Sequence, residues 1–142
     1  MLHQTKPANF KPDMQVSEGI LEYHWKILLV QRSPHCSSPL TWSGPGWKLD
    51  EEENFDAALI RELEEEIGVD ISDFPREVLF QKYFHYLEKN IEIQFYKVRC
   101  DRKPAIILNE EHQNYIWVSP IEALAMNLTE DFNTIIKEIY SF

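Results

Sequence analysis

Apolar and polar positions along the chain fall into two periods. "QVSEGILEY" (15–23) and "KILLVQRS" (26–33) read as strands joined by a short connection through "YHWK". "REVLFQKYFHYL" (76–87) and "NIEIQFYKVRC" (90–100) are rich in β-branched and aromatic residues, and "EKN" between them predicts a hairpin. "YIWV" (115–118) is a further short strand. Between the two strand pairs the period changes. In "NFDAALIRELEEEIG" (54–68), Leu59, Ile60, Leu63 and Ile67 share one stripe at helical spacing. Asn54 or Asp56 can cap that helix, and Gly68 stands where a C-terminal glycine belongs. "SPIEALAM" (119–126) predicts a helix with Ser119 as N-cap and Pro120 in the first helical position. "TEDFNTIIKEIYSF" (129–142) predicts a closing helix with Ile135, Ile136, Ile139 and Tyr140 inward. Helices alternating with a mixed set of strands define an α/β (α+β) fold with a sheet between helices. Residues 1–13 carry two prolines and little periodicity and read as a loose arm on a single domain spanning 1–142.

Composition narrows the classes. A chain of 142 residues that is 44% hydrophobic supports one globular core. Its net charge of −10 lacks the basic footprint of a duplex-nucleic-acid binder. That charge leaves room for a phosphate-bearing small ligand, because divalent cations reverse the local sign. Cys36 and Cys100 form no C-x-x-C pair, which suits a reducing compartment. No signal-peptide core opens the chain and "ILLV" is too short to span a bilayer, so a cytoplasmic location and no membrane partner are expected.

The charge is concentrated. Nine Asp and Glu lie between Asp50 and Glu66, against the single cation Arg61. Glu62, Glu65 and Glu66 stand at i, i+3 and i+4, on a face beside the apolar stripe rather than opposite it. "SPHCSSPLTWSGPG" (33–46), a loop with three prolines and two glycines, leads into this segment and can fold over that shoulder. Carboxylates gathered so closely repel unless a hard cation neutralises them, and Mg²⁺ or Mn²⁺ prefers such oxygen ligands together with substrate phosphates. Arg61 and Glu53 can form a bidentate pair that pins the loop to the helix.

Glu53, seven residues, then "RELEEEIGV" (61–69) resembles the Nudix box: G, five residues, E, seven residues, R-E, an aliphatic, any residue, E-E, any residue, G, an aliphatic. Eight of the nine specified positions match; at the first, Trp47 replaces glycine and Gly46 precedes it. "KILLVQRS", "WSGPG" and "EEHQNYIWVSPIEAL" resemble the segments around the box, so the resemblance covers roughly residues 15–140. It implies an α/β/α sandwich and Mg²⁺-dependent (or Mn²⁺-dependent) hydrolysis of a nucleoside diphosphate linked to another group. Glu62, Glu65 and Glu66 are the implied metal ligands, and Trp47 inherits the backbone-carbonyl ligand of the box glycine. Arg61 and Glu53 complete the catalytic set. Glu111, then Glu110, are further candidate acids, while His112 reads as structural.

For the substrate, Arg32 is a candidate for phosphates. Trp42, Trp47, Tyr83 and Phe84 are candidates for stacking on a base. Asn133 is a candidate for a purine edge, a role with which helix capping competes. The leading expectation is a MutT-like pyrophosphohydrolase of a canonical or modified nucleoside triphosphate, working as monomer or homodimer on a nucleotide substrate. A dinucleoside tetraphosphate hydrolase is the alternative, since "EHQNYIW" also resembles that branch. A catalytically silent module that binds nucleotide or a partner is the other, with Trp47 in its favour.

Overall fold

The computed structural model describes residues 2–3, 5–86 and 88–142. Ten elements follow in chain order: β1 (Leu2–His3), β2 (Met14–Tyr23), β3 (Lys26–Arg32), β4 (Trp42–Ser43), α1 (Phe55–Ile67), β5 (Arg76–Tyr86), β6 (Lys89–Arg99), β7 (His112–Val118), α2 (Pro120–Ala123) and α3 (Phe132–Tyr140). The sheet runs β1-β5-β6-β2-β3-β4, with β7 also paired to β3. It is mixed: β2 and β6 are parallel from Met14↔Ile91 to Glu22↔Arg99, while the other pairs are antiparallel.

Strand alternation divides the core. Ile20, Ile27 and Leu29 point to the face covered by Phe132, Ile135 and Ile136 of α3. Leu21, Leu28 and Val30 point to the opposite face, where Leu59, Leu63 and Ile67 of α1 pack. A continuous apolar run such as "ILLV" is what a strand buried on both faces requires. The expected α/β/α sandwich is therefore the observed one. Among the described residues no helix is long and apolar enough to cross a membrane.

Local chemistry sets the boundaries. Asn54 caps α1, its side chain accepting from Ala57 N–H, and Gly68 ends it at φ 70°. Asp56, the other capping candidate, instead forms a two-point ion pair with Arg76 at 2.6 and 2.9 Å. Ser119 and Glu122 form a capping box at α2, with Pro120 leading the helix. The β2–β3 connection is a two-residue turn in which His24 and Trp25 both have positive φ, the geometry that matches strand twist.

Near the N-terminus Leu2 and His3 pair with Phe84 and Tyr83, Phe10 meets the Tyr83 ring edge-on at 5.4 Å, and Lys11 and Asp13 bond to Asn90. Two residues are too few to show a strand period. The strand expected at 115–118 begins at His112, because antiparallel pairing with β3 extends to Arg32↔His112 around a bulge. Polar "HQN" hides that extension.

Candidate functional site

The site forms where α1, the 44–49 loop and the entry to β7 converge. Backbone pairing comes first. Gly19 N–H donates to the Pro45 carbonyl (2.8 Å) and Ser17 N–H to the Trp47 carbonyl (3.1 Å), laying the loop against β2. Gly46, between them, has φ 136°, and a Cβ there would collide with the Ser17 carbonyl oxygen. Its N–H donates to Glu66 Oε2 at 2.9 Å. The conformational demand thus falls on Gly46, which is glycine. Trp47 is absent from the positive-φ residues, and its carbonyl faces β2. That carbonyl already accepts the Ser17 N–H. Trp47, 43% exposed, lines a cavity, and its ring lies under the Arg32 guanidinium at 5.9 Å.

The helical spacing has the expected consequence for Glu62 and Glu66, which are 8% and 1% exposed at the shoulder of α1. Glu65 lies outward, its side chain 57% exposed. Asn109 N–H donates to the Glu66 carbonyl and Ser33 N–H to the Glu111 carbonyl, so the 107–112 segment is laid across the end of α1. Ligand atoms of Glu66, Glu111 and His112 lie within 4.8 Å of one another. Glu110 is exposed, and its carbonyl accepts from Ser33 Oγ at 2.7 Å.

Electrostatics follow burial. Desolvation raises the Glu66 carboxyl well above its ordinary range; the Gly46 N–H opposes this, and Glu62, Glu111 and Glu18 reinforce it. Desolvation also raises Glu62, against the pull of Arg61. Burial lowers the His112 imidazole to about 4, helped by Arg32, so it is neutral at pH 7. Its Nδ1 is buried with no hydrogen-bond partner among the described residues. Clustered carboxyls that resist ionisation, beside a neutral imidazole with an orphaned nitrogen, fit a divalent cation with oxygen and nitrogen ligands. His112 as part of that donor set departs from its reading as structural.

Arg61 holds the loop to this shoulder. Its Nε and Nη2 donate to Glu53 Oε2 and Oε1 at 2.8 and 2.9 Å, the bidentate pair expected from spacing. Nη1 reaches Glu62 at 2.8 Å and Glu65 at 3.2 Å, and Nη2 donates to the Lys48 carbonyl at 3.1 Å. Hydrogen bonding from Arg61 holds the Glu53 carboxyl below its usual range. Glu52, in the same loop, sits at φ 65°, a conformation that costs a side chain about 1–2 kcal/mol. Replacing Glu52 with glycine should stabilise the fold by roughly 0.5–1 kcal/mol, offset in part by the freer unfolded chain. Chemical denaturation of the pair checks this; an unchanged or lower midpoint contradicts it.

A cavity of about 220 Å³ opens beside the carboxylates. Val16, Ile91, Ile93, Phe95, Phe132 and Ile135 give it apolar walls, and its polar lining includes Arg32, Glu18, His112, Glu130 and Asp131. Arg32 is itself bound to the Ser37 carbonyl at 2.6 Å, which orients its charge into this region. Phe84 lines the cavity, whereas Tyr83 packs on Phe10 and Trp42 on the α3-side core. Asn133 is exposed and is not among the lining residues; Asp131, at φ 65° before α3, is. Sequence reasoning passed over Glu18 and Asp131. For Glu18 a signal exists: it occupies the alternation position between Val16 and Ile20, both core residues of one face.

A mixed sheet between helices, a buried carboxylate cluster and an adjoining apolar cavity with an arginine define a phosphohydrolase-type site. The comparisons agree. The NUDIX domain family model matches residues 19–139, and the chain belongs to that family of hydrolases acting on nucleoside diphosphate-linked substrates. It is 29% identical over 114 residues to the CTP pyrophosphohydrolase of Escherichia coli K12, covering 78% of this chain and 79% of that one. It is 29% identical over 101 residues to the 8-oxo-dGTP diphosphatase of Proteus vulgaris, covering 63% and 90%. The solution structure of the E. coli ORF135 protein superposes with a TM-score of 0.76 at 27% identity, over 90% of this chain and 89% of that one.

Proposed function

We propose that the chain is a Mg²⁺- or Mn²⁺-dependent pyrophosphohydrolase of a nucleoside triphosphate. One observation carries the reading: the Glu66–Glu111–His112 cluster, with Glu62 close enough to act on the Glu66 carboxyl, meets at His112 a cavity with an arginine and apolar walls. The two relatives named for CTP and 8-oxo-dGTP differ in the base and share the triphosphate.

Glu62, Glu66, Glu111 and His112 would hold the cation. It would screen the phosphates and acidify the attacking water. Arg32 receives phosphate oxygens, and the Trp47 ring, beside it, covers the nucleotide. Water attacks one phosphorus and a P–O–P bridge breaks, leaving nucleoside monophosphate and pyrophosphate. Glu65, on the exposed side of the shoulder and 3.2 Å from Arg61, accepts the proton that water loses. Arg61 and Glu53 keep the loop in place while this happens.

Product release is to be measured across nucleoside triphosphates, oxidised ones included, alongside dinucleoside polyphosphates, ADP-ribose and nucleotide sugars. Cation-dependent release of pyrophosphate from a triphosphate, lost in Glu65→Gln, is the expected result. Turnover of dinucleoside polyphosphates alone would overturn the substrate class. Turnover of nothing, with nucleotide still bound, would leave a binding module.

A further inference from the structure

Glu18 is unexplained by the hydrolytic machinery. It lies in β2 between Val16 and Ile20 on the α3 side of the sheet, opposite Phe95 of β6. The other charged groups on that face are paired, Lys82 with Glu138 and Glu22 with Tyr140 and Lys97, and a buried carboxyl is costly without a partner. The Glu18 Oε2 is buried and forms no hydrogen bond of good geometry among the described residues, the Gly44 backbone being the nearest donor to the carboxyl. Burial raises the carboxyl to about 8, against the pull of the Gly44 backbone. The side chain lines the same cavity as Val16, Ile93, Phe95 and Phe132. Polar groups placed in a part-apolar cavity fix the orientation of its ligand.

We propose that Glu18 reads the nucleobase: Oε2 accepts an N–H from the exocyclic amino group of a base seated against Val16, Ile93, Phe95 and Phe132, so the cavity selects amino-bearing bases over their carbonyl counterparts. The inference rests on the nucleotide reading of this site and adds the determinant of base choice. An amino group fills the one missing donor. Against the ionised carboxylate, a carbonyl in the same place sets oxygen against oxygen and leaves Oε2 buried and unpaired, the kind of mismatch that discriminates strongly.

The test is equilibrium binding of two matched pairs, CMP against UMP and AMP against IMP. Calorimetry at pH 8.5 on wild type, Glu18→Gln and Glu18→Leu provides the readout; that pH lies on the ionised side of the raised Glu18 carboxyl while UMP and IMP mostly keep their ring N–H protons. The amino-bearing member of each pair should bind about tenfold or more tightly to wild type. Glu18→Gln should bring both pairs to within about threefold, because an amide turns over to offer either a donor or an acceptor. Glu18→Leu should weaken CMP and AMP while sparing UMP and IMP. Equal affinities in wild type, ratios that survive both substitutions, or no binding of any of the four overturn the proposal. A preference for CMP and AMP in a protein that hydrolyses no triphosphate upholds it and refutes only the enzymatic reading.

Discussion

Glu66→Gln loses roughly 10²–10³-fold in turnover and, without divalent cations, melts at a higher temperature than wild type. The two effects have one cause. Glu66 is 1% exposed, and desolvation with Glu62, Glu111 and Glu18 nearby raises its carboxyl well above the ordinary range. A carboxyl raised on folding gives its full stability contribution below the unfolded value, and that contribution is lost as pH rises toward the folded value. At pH 7 to 8 wild type therefore carries a penalty that the neutral amide lacks. The amide oxygen still accepts the Gly46 N–H, so the loop keeps its anchor. The melting difference should close below about pH 4, where Glu66 is protonated in both states. Added Mn²⁺ should raise the melting temperature of wild type and move the variant much less. Melting curves in chelator and in Mn²⁺ across pH 4–8, with steady-state rates, check each part. Equal turnover, or an equal Mn²⁺ shift in both proteins, would remove Glu66 from the cation site.

How much of this site was legible in the sequence depends on the range of the contacts. Glu62 and Glu66 share a face because both lie on one helix, and spacing along a helix is a local property. The Arg61–Glu53 pair spans eight residues and was equally readable. That a sheet lies between helices followed from strand-like and helical periods in alternation. Other features needed the third dimension. The Trp47 carbonyl pairs with Ser17, thirty positions upstream. His112 joins Glu66 only because β7 pairs with β3 up to Arg32 and the 107–112 segment crosses the end of α1. Asp131 reaches the cavity and Asn133 does not because α3 begins at Phe132, so Asn133 points outward. Glu18 is intermediate: a glutamate at a core position of an alternating strand is a local anomaly, but its cavity is a tertiary fact.

Arg61→Ala lowers stability and turnover together, which separates it from Glu66→Gln. Arg61 makes the two-point contact with Glu53, bonds to Glu62 and Glu65, and holds the Lys48 carbonyl. Glu53 in turn accepts the Asp50 N–H at 2.7 Å, so the arginine closes the 48–53 loop on itself and on α1. Arg61 and Glu53 side chains are only 25% and 18% exposed, and charged hydrogen bonds of that kind contribute about 1–3 kcal/mol in total after solvent screening. The melting temperature should fall by several degrees, since each 1 kcal/mol is worth about 2–4 °C in a chain of this size. Turnover should fall about 10- to 100-fold, because Glu62 loses its counter-charge and Trp47, at the head of the loop, loses its support. Arg61→Lys distinguishes charge from geometry. A lysine supplies the positive charge but not the planar fork. It should recover part of the stability and little of the turnover, and protease cleavage within 48–53 should stay fast in both variants. Normal melting with a normal rate in Arg61→Ala would refute the latch. Full recovery by lysine would show that charge alone holds the loop over the carboxylates.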